Sequence, residues 1–184
     1  MIVLLIGLPG TGKSTMAGEL TRRLDAAVLN KDVIRAALFP GGLVEYSIEQ
    51  DDFVMSAMAA VAEWILEKHP WRIVVFDGRT FSREYQRAFV FGTAAKMKQT
   101  VRVIETVAPR EIARARLEAD RAAGTHPAAN RDWALYEKVA KEFDPVAEPK
   151  LVVDTNGAVD EWIGPALAWL TGGRAAEEVR RDNG

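Results

Sequence analysis

Five consecutive apolar residues, Ile2 to Ile6, lead without a break into Gly7-Leu8-Pro9-Gly10-Thr11-Gly12-Lys13-Ser14-Thr15. Nine positions holding three glycines, a proline, a lysine and three hydroxyl residues are poor material for a packed core. The stretch matches G-x-x-x-x-G-K-[ST], the P-loop pattern, with Gly10 extra to it. Such a loop needs a buried strand before it and a helix after it, so that backbone N–H groups and the helix N-terminus point at a bound anion. Both flanks are present. Residues 2–6 read as a central parallel strand, and Met16, Leu20 and Leu24 recur every four residues on one helix face. Gly10, Thr11, Gly12, Lys13, Ser14 and Thr15 are therefore the candidate nucleotide-binding residues. Gly10 and Gly12 allow close backbone approach at positive φ. Lys13 is placed to meet the β- and γ-phosphates and Ser14 to put its hydroxyl on Mg²⁺.

Downstream, short apolar runs alternate with amphipathic helical patterns. Strands are expected at 27–30, 72–76, 101–104 and 151–153. Helices are expected at 48–68, 82–98, 110–122, 132–143 and 158–170. Phe53, Ala57, Val61, Trp64 and Ile65 are expected on one face of the long helix, and Met55, Met58 and Trp64 read as core rather than as a stacking platform. The segment 124–131, GTHPAANR, breaks the pattern, and from Gly172 the polar tail is expected to fray. This alternation predicts an α/β fold of the P-loop NTPase kind, a five-stranded parallel sheet with helices on both faces and a small helical lid. The length of 184 residues suits one domain, taken as 1–171 with the lid at about 110–135.

Charge narrows the partners. There are 24 Lys plus Arg against 26 Asp plus Glu, so the chain as a whole is not built to coat a polyanion. No cysteine is present, which removes disulfides, thiolate nucleophiles and cysteine-ligated zinc, and suits a reducing interior. The apolar run before Gly7 is too short to span a membrane and has no basic leader. The expected location is the cytoplasm, with no membrane partner.

In parallel α/β sheets ligands sit beyond the C-terminal strand ends. The second strand runs into Asn30-Lys31-Asp32-Val33-Ile34-Arg35, and the third into Phe76-Asp77-Gly78-Arg79-Thr80. Two carboxylates and two arginines thus converge near the phosphate loop. A carboxylate can take the proton from an attacking hydroxyl, and a guanidinium can fix an anionic group with paired hydrogen bonds. Asp32 can equally serve as a helix N-cap, and Arg35 as a solvated helix position. Asp77 fits a magnesium-supporting carboxylate or an acceptor-orienting one. Arg79 suits an anionic acceptor or a partner for Asp77.

Together, GLPGTGKST, NKDVIR, FDGRT and an arginine-bearing lid resemble the small P-loop kinases. That group includes bacteriophage-type polynucleotide 5′-hydroxyl kinases, adenylylsulfate kinases and zeta toxins. The resemblance runs from residue 1 to about 155, and FDPVAEPKLVVDT (143–155) is similar to the closing segment of adenylylsulfate kinases. It implies ATP and Mg²⁺, with Asp32 as general base and Arg35 on a substrate phosphate. It also implies lid arginines over the triphosphate. Arg110, Arg114, Arg116, Arg121 and Arg131 are the candidates, and Arg116 with Arg121 is the favoured pair, although their five-residue spacing departs from the usual four. Glu111, Glu118 and Asp120 allow the plainer reading of an exposed, ion-paired helix. His126 reads as an ordinary exposed histidine.

Other functional classes fit less well. Asn30-Lys31-Asp32-Val33 misses the N-K-x-D of a guanine-nucleotide switch by one residue, and no D-x-x-G follows the third strand. Gly78 stands where a motor ATPase carries a water-activating glutamate. The resulting expectation is γ-phosphate transfer to a small hydroxylated anion. Lys13, Asp32 and Arg116 are the expected catalytic residues, and Asp32, Arg35, Asp77 and Arg79 the acceptor-binding ones. Ser14 and Asp77 are expected on the metal. A nucleotide or oligonucleotide end remains an alternative acceptor. A long nucleic acid is not expected, and an ATPase or switch without an acceptor is the alternative of another class.

Overall fold

The computed structural model describes residues 1–124 and 132–181, with side chains as far as 172. His126, Arg131 and most of the 124–131 break lie outside the described residues. The elements run β1 (Ile2–Ile6), α1 (Lys13–Leu24), β2 (Ala27–Asn30), α2 (Lys31–Leu38), a short 3₁₀ turn (Gly41–Leu43) and α3 (Ile48–Lys68). They continue with β3 (Val74–Asp77), α4 (Glu84–Lys96), β4 (Val101–Val107), α5 (Arg110–Ala123), α6 (Trp133–Lys141), β5 (Lys150–Asp154) and α7 (Val159–Arg181).

All four strand pairings are parallel, in the order β2-β3-β1-β4-β5. The strand feeding the phosphate loop is therefore the middle one. Its five residues are 0% exposed, as a strand covered on both faces must be. Period-two alternation divides them between two cores. Ile2, Leu4 and Ile6 pack with Val54, Met55 and Met58 of α3 and Val90 and Ala94 of α4. Val3 and Leu5 face the other way, onto Met16 and Leu20 of α1 and Ile163, Ala166 and Leu170 of α7. Each such side chain contributes about 1.5–3 kcal/mol by leaving water, so the loop stands on a strand held from both faces. A third, small cluster joins α5 and α6, with Ala113 and Leu117 of α5 against Tyr136 of α6, and Leu8 of the phosphate loop packed on it. Trp133 stacks on Tyr136 at 4.4 Å between ring centroids.

Three expectations are corrected. The apolar face assigned to α3 is turned off the core: Phe53, Val61 and Trp64 are 59%, 44% and 60% exposed, while Ile65 alone of its large side chains packs on the core. The buried face is Val54, Met55, Met58, Ala62 and Leu66, rotated by about one residue. Met55 and Met58 are core as expected, and Trp64 is not. The third strand begins at Val74 rather than 72 and includes Asp77 as its last residue. The final helix does not stop at 170 but continues to Arg181.

Arg87 of α4 fastens the segment before β5 to the site wall. Its guanidinium, on a residue 1% exposed, donates to Phe81 O at 3.1 Å, Pro145 O at 2.8 Å and Glu148 Oε1 at 3.2 Å. Asp144 adds a latch, accepting from Glu84 N and donating its own N–H to Ser82 O.

Candidate active site

A cavity of about 500 Å³ opens beyond the C-terminal ends of β1, β2 and β3. Pro9, Lys13 and Ser14 of the phosphate loop form one side of it. Gly10 has φ +78°, and a Cβ there would stand 2.5 Å from Ala113 O, so the loop reaches its shape only with glycine. Lys13 begins α1 and is 7% exposed, with Nζ donating to Gly7 O at 2.9 Å and Leu8 O at 2.8 Å. It spans the mouth of the loop instead of extending into solvent. Ser14 lines the cavity. Thr11 is buried and faces inward, its hydroxyl 2.9 Å from that of Thr106 and donating to Leu8 O at 2.8 Å.

Across the cavity, β2 ends at Asn30, and it is Asn30 rather than Asp32 that caps α2. Its side-chain oxygen accepts from Asp32 N at 3.0 Å and Val33 N at 3.1 Å. Its amide also donates to Asp77 Oδ2 at 2.8 Å, joining the ends of paired strands β2 and β3. Gly78, at φ +84°, makes this approach possible, since a Cβ there would meet Lys31 N at 2.7 Å. The Asp32 carboxylate is thus relieved of capping and lines the cavity. It accepts from Arg35 Nη1 at 3.1 Å and lies 3.6 Å from Lys31 Nζ.

Asp77 is 1% exposed, and its second oxygen, Oδ1, is buried without a hydrogen-bond partner. A buried carboxylate oxygen without a partner and an exposed serine lining the same cavity suit Mg²⁺, which needs few protein oxygens when phosphates supply the rest. Ser14 and Asp77 are the residues that would hold the ion. Arg79 is 7% exposed, donates to Asp52 Oδ1 at 2.9 Å and lies over the Tyr85 ring. Arg35 is 2% exposed and lies over Tyr46.

The favoured lid arginines stand elsewhere. Arg116 donates to Thr155 Oγ1 at 2.9 Å, Thr155 O at 2.8 Å and Gly10 O at 3.4 Å, bracing the phosphate loop against the end of β5. Arg121 is exposed near the end of α5. Arg110 pairs with Glu137 and Arg114 with Glu118. Among the described residues from α5 onward it is Leu135, Lys138, Val139 and Glu142, not an arginine, that line the cavity.

A family model described as an AAA domain matches residues 2–143. The chain belongs to that family. No curated relative matches this AAA-domain chain by sequence. Among solved structures it is similar to the adenylylsulfate (APS) kinase CysC of Mycobacterium tuberculosis in complex with AMPPNP and APS. That match has a TM-score of 0.67 at 19% identity, covering 92% of this chain and 96% of that one. A gluconokinase from Sinorhizobium meliloti matches with a TM-score of 0.66 at 14% identity, covering 99% and 97%. Kti12 of Chaetomium thermophilum, in complex with ADP-AlF3, matches at 0.64 and 15% identity, covering 88% and 93%. At these identities the likeness is one of fold, the kinase-like P-loop NTPase fold.

The AAA-domain chain also brings residues to the cavity that the sequence reading passed over. Lys31, Tyr46, Asp51, Arg83, Tyr85 and Lys138 line it. Burial pushes the Lys31 ammonium down from 10.5 to about 8; Asp32 opposes that shift, and Arg35 and Arg79 add to it. Position after the second strand could have marked Lys31, but nothing local marks Asp51, which arrives from α3. Among the described residues, no helix is long and apolar enough to cross a membrane.

Proposed function

We propose that this protein is an ATP-dependent phosphotransferase that moves the γ-phosphate to a hydroxyl of a small anionic acceptor. The observation that supports this most is a carboxylate, Asp32, freed from helix capping by Asn30 and lining the same cavity as Lys13 and Ser14. In this reading the loop backbone and Lys13 hold the triphosphate, with Lys13 leaving Gly7 O and Leu8 O for phosphate oxygens. Bound Mg²⁺ would neutralise charge on the transferring group. Asp32, oriented by Arg35 and Lys31, takes the proton of the attacking hydroxyl. Arg35 and Arg79 hold the acceptor. Lys138 supplies a lid cation on the cavity wall, and Arg116 keeps the loop in shape from behind. Nucleotide binding by Gly10, Thr11, Gly12, Thr15 and Arg121 belongs to the same proposal. For Thr11 it is confined to the backbone, because its hydroxyl is buried.

A small acceptor fits the charge at the mouth. Glu45, Glu49 and Asp52 are exposed around the acceptor side, where a nucleic-acid strand would need a basic track. The test is competition among a 5′-hydroxyl oligonucleotide, a nucleoside 3′-phosphate and adenylylsulfate at two salt concentrations. The expected result is preference for a small compound, with the rate falling only a few-fold as salt rises. An oligonucleotide preferred at low salt and losing about 10³ or more in affinity at high salt contradicts the small-acceptor reading.

A further inference from the structure

Asp51 occupies the place where an acceptor's anion would be held. From the first turn of α3, its Oδ1 meets Lys31 Nζ at 2.9 Å and contacts Arg35 Nη2, and its Oδ2 lies 3.9 Å from Arg79 Nε. The three cations come from two different strand ends, and their side chains are 9%, 2% and 6% exposed. One carboxylate does not use up this set of donors. Arg35 Nε and Arg79 Nε are both buried without a hydrogen-bond partner, and such groups are costly to leave unpaired. A planar carboxylate presents two oxygens, whereas a terminal tetrahedral oxyanion presents three in different directions.

Charge points the same way. With Asp51 turned aside, Lys31 and Arg35 keep Asp32 and Arg79 keeps Asp52, leaving an excess of one positive charge for an entering oxyanion to balance. Asp52, the other partner of Arg79, is half exposed and screened by water. Asp51 can turn aside without moving its helix. Ser47 caps α3, and the Gln50 side chain is tied to Glu45 N and Leu43 O, so the backbone beneath Asp51 is fixed while its side chain borders the cavity.

We propose that Asp51 is a built-in counter-ion of the acceptor pocket, which a tetrahedral oxyanion on the acceptor must displace from Lys31, Arg35 and Arg79. The inference rests on the acceptor reading above and adds the gate to it. Compounds without such a group leave Asp51 in place, and the hydroxyl is then not drawn towards Asp32. Asp51 therefore sets both affinity and selectivity.

The experiment uses the full chain with its phosphate loop saturated by Mg²⁺ and AMPPNP, so that added anions report the second site. Inorganic sulfate, inorganic phosphate and acetate are titrated calorimetrically into wild type, Asp51→Asn and Asp52→Asn. Asp51→Asn is expected to bind sulfate or phosphate at least tenfold more tightly than wild type, with acetate and Asp52→Asn each changing less than threefold. The tighter of sulfate and phosphate names the oxyanion. Affinities within twofold of wild type overturn the proposal, as does equal tightening by Asp52→Asn or no detectable anion binding. Should Asp51→Asn not fold, the carboxylate ¹³C resonance of Asp51 in wild type is followed during sulfate titration. It is expected to shift while that of Asp52 stays, and a still Asp51 at saturation overturns the proposal. Wild-type affinity for AMPPNP is read first; its absence counts against the kinase reading itself, whatever Asp51 does.

Discussion

Between Gly7 and Lys13 the chain shapes its site with backbone, standing on a strand whose residues are 0% exposed. Across the same cavity, Lys31, Asp32, Arg35, Asp51 and Arg79 shape theirs with charged side chains from separate elements. The difference is one of what holds each wall in place. Backbone geometry fixed by glycines and a buried strand, with Thr106 and Arg116 bracing it from behind, needs no counter-ion inside the cavity. A cluster of charges holds only while each ion has its counter-ion, because an isolated buried charge is costly. In the proposed reading the donor wall is therefore of one kind, and the acceptor wall is reset by the anion that enters it.

If that contrast is right, substitutions on the two walls fail differently. The largest loss belongs to Lys13→Ala. Removing a preorganised donor from the transferring phosphate lowers transfer by about 10²–10³, while thermal unfolding stays cooperative, since the Nζ hydrogen bonds to Gly7 O and Leu8 O tie the lysine to the loop rather than to the core. Turnover within tenfold of wild type would remove the donor wall from the account.

Asp32→Asn comes next. Its rate is expected to fall by about 10², with melting lowered by no more than a few degrees, because Asn30 carries the cap and Arg35 and Lys31 keep Asp51. A large loss of stability with transfer intact would make Asp32 a structural counter-ion only.

Smaller still is the response of the acceptor wall to alkali. Lys31 titrates at about 8 when folded, against 10.5 for the ordinary lysine. Between those values the unfolded chain holds a proton that the folded chain has released, so stability rises with pH across that window. Below pH 8 both forms are charged and the cost of burying the ammonium is fully present. Comparing urea midpoints of wild type and Lys31→Met from pH 7.5 to 10.5 should show wild type gaining on the variant as pH rises. Parallel curves would mean that Lys31 is not buried against the arginines.

The same contrast governs how much could be read from the sequence. A phosphate loop announces itself because its glycines, lysine and serine are contiguous and both flanks are periodic, and the central strand with the alternating topology followed from it. The buried face of α3 was misread because that helix is apolar on two sides: Phe53, Val61 and Trp64 repeat as regularly as Val54, Met58 and Ala62. Periodicity cannot say which stripe meets the sheet. Capping, offered only as an alternative role for Asp32, falls two residues earlier on Asn30, since both are good caps and only the strand's end decides between them. Asp51 was invisible as a site residue, because its meeting with Lys31 and Arg79 is made by tertiary packing. Arg116 is in helical register with the lid, but nothing local shows that it turns to Thr155 and the phosphate loop.

The central claim is that the phosphate leaves for an acceptor and not for water. It is tested most directly by following the label of [γ-³²P]ATP through a screen of small hydroxylated anions, with ADP release measured with and without each. The account predicts at least one compound that raises ADP release a hundredfold or more and carries the label away as an organic ester in equal amount. ADP release indifferent to every compound, with all the label recovered as orthophosphate, would contradict it.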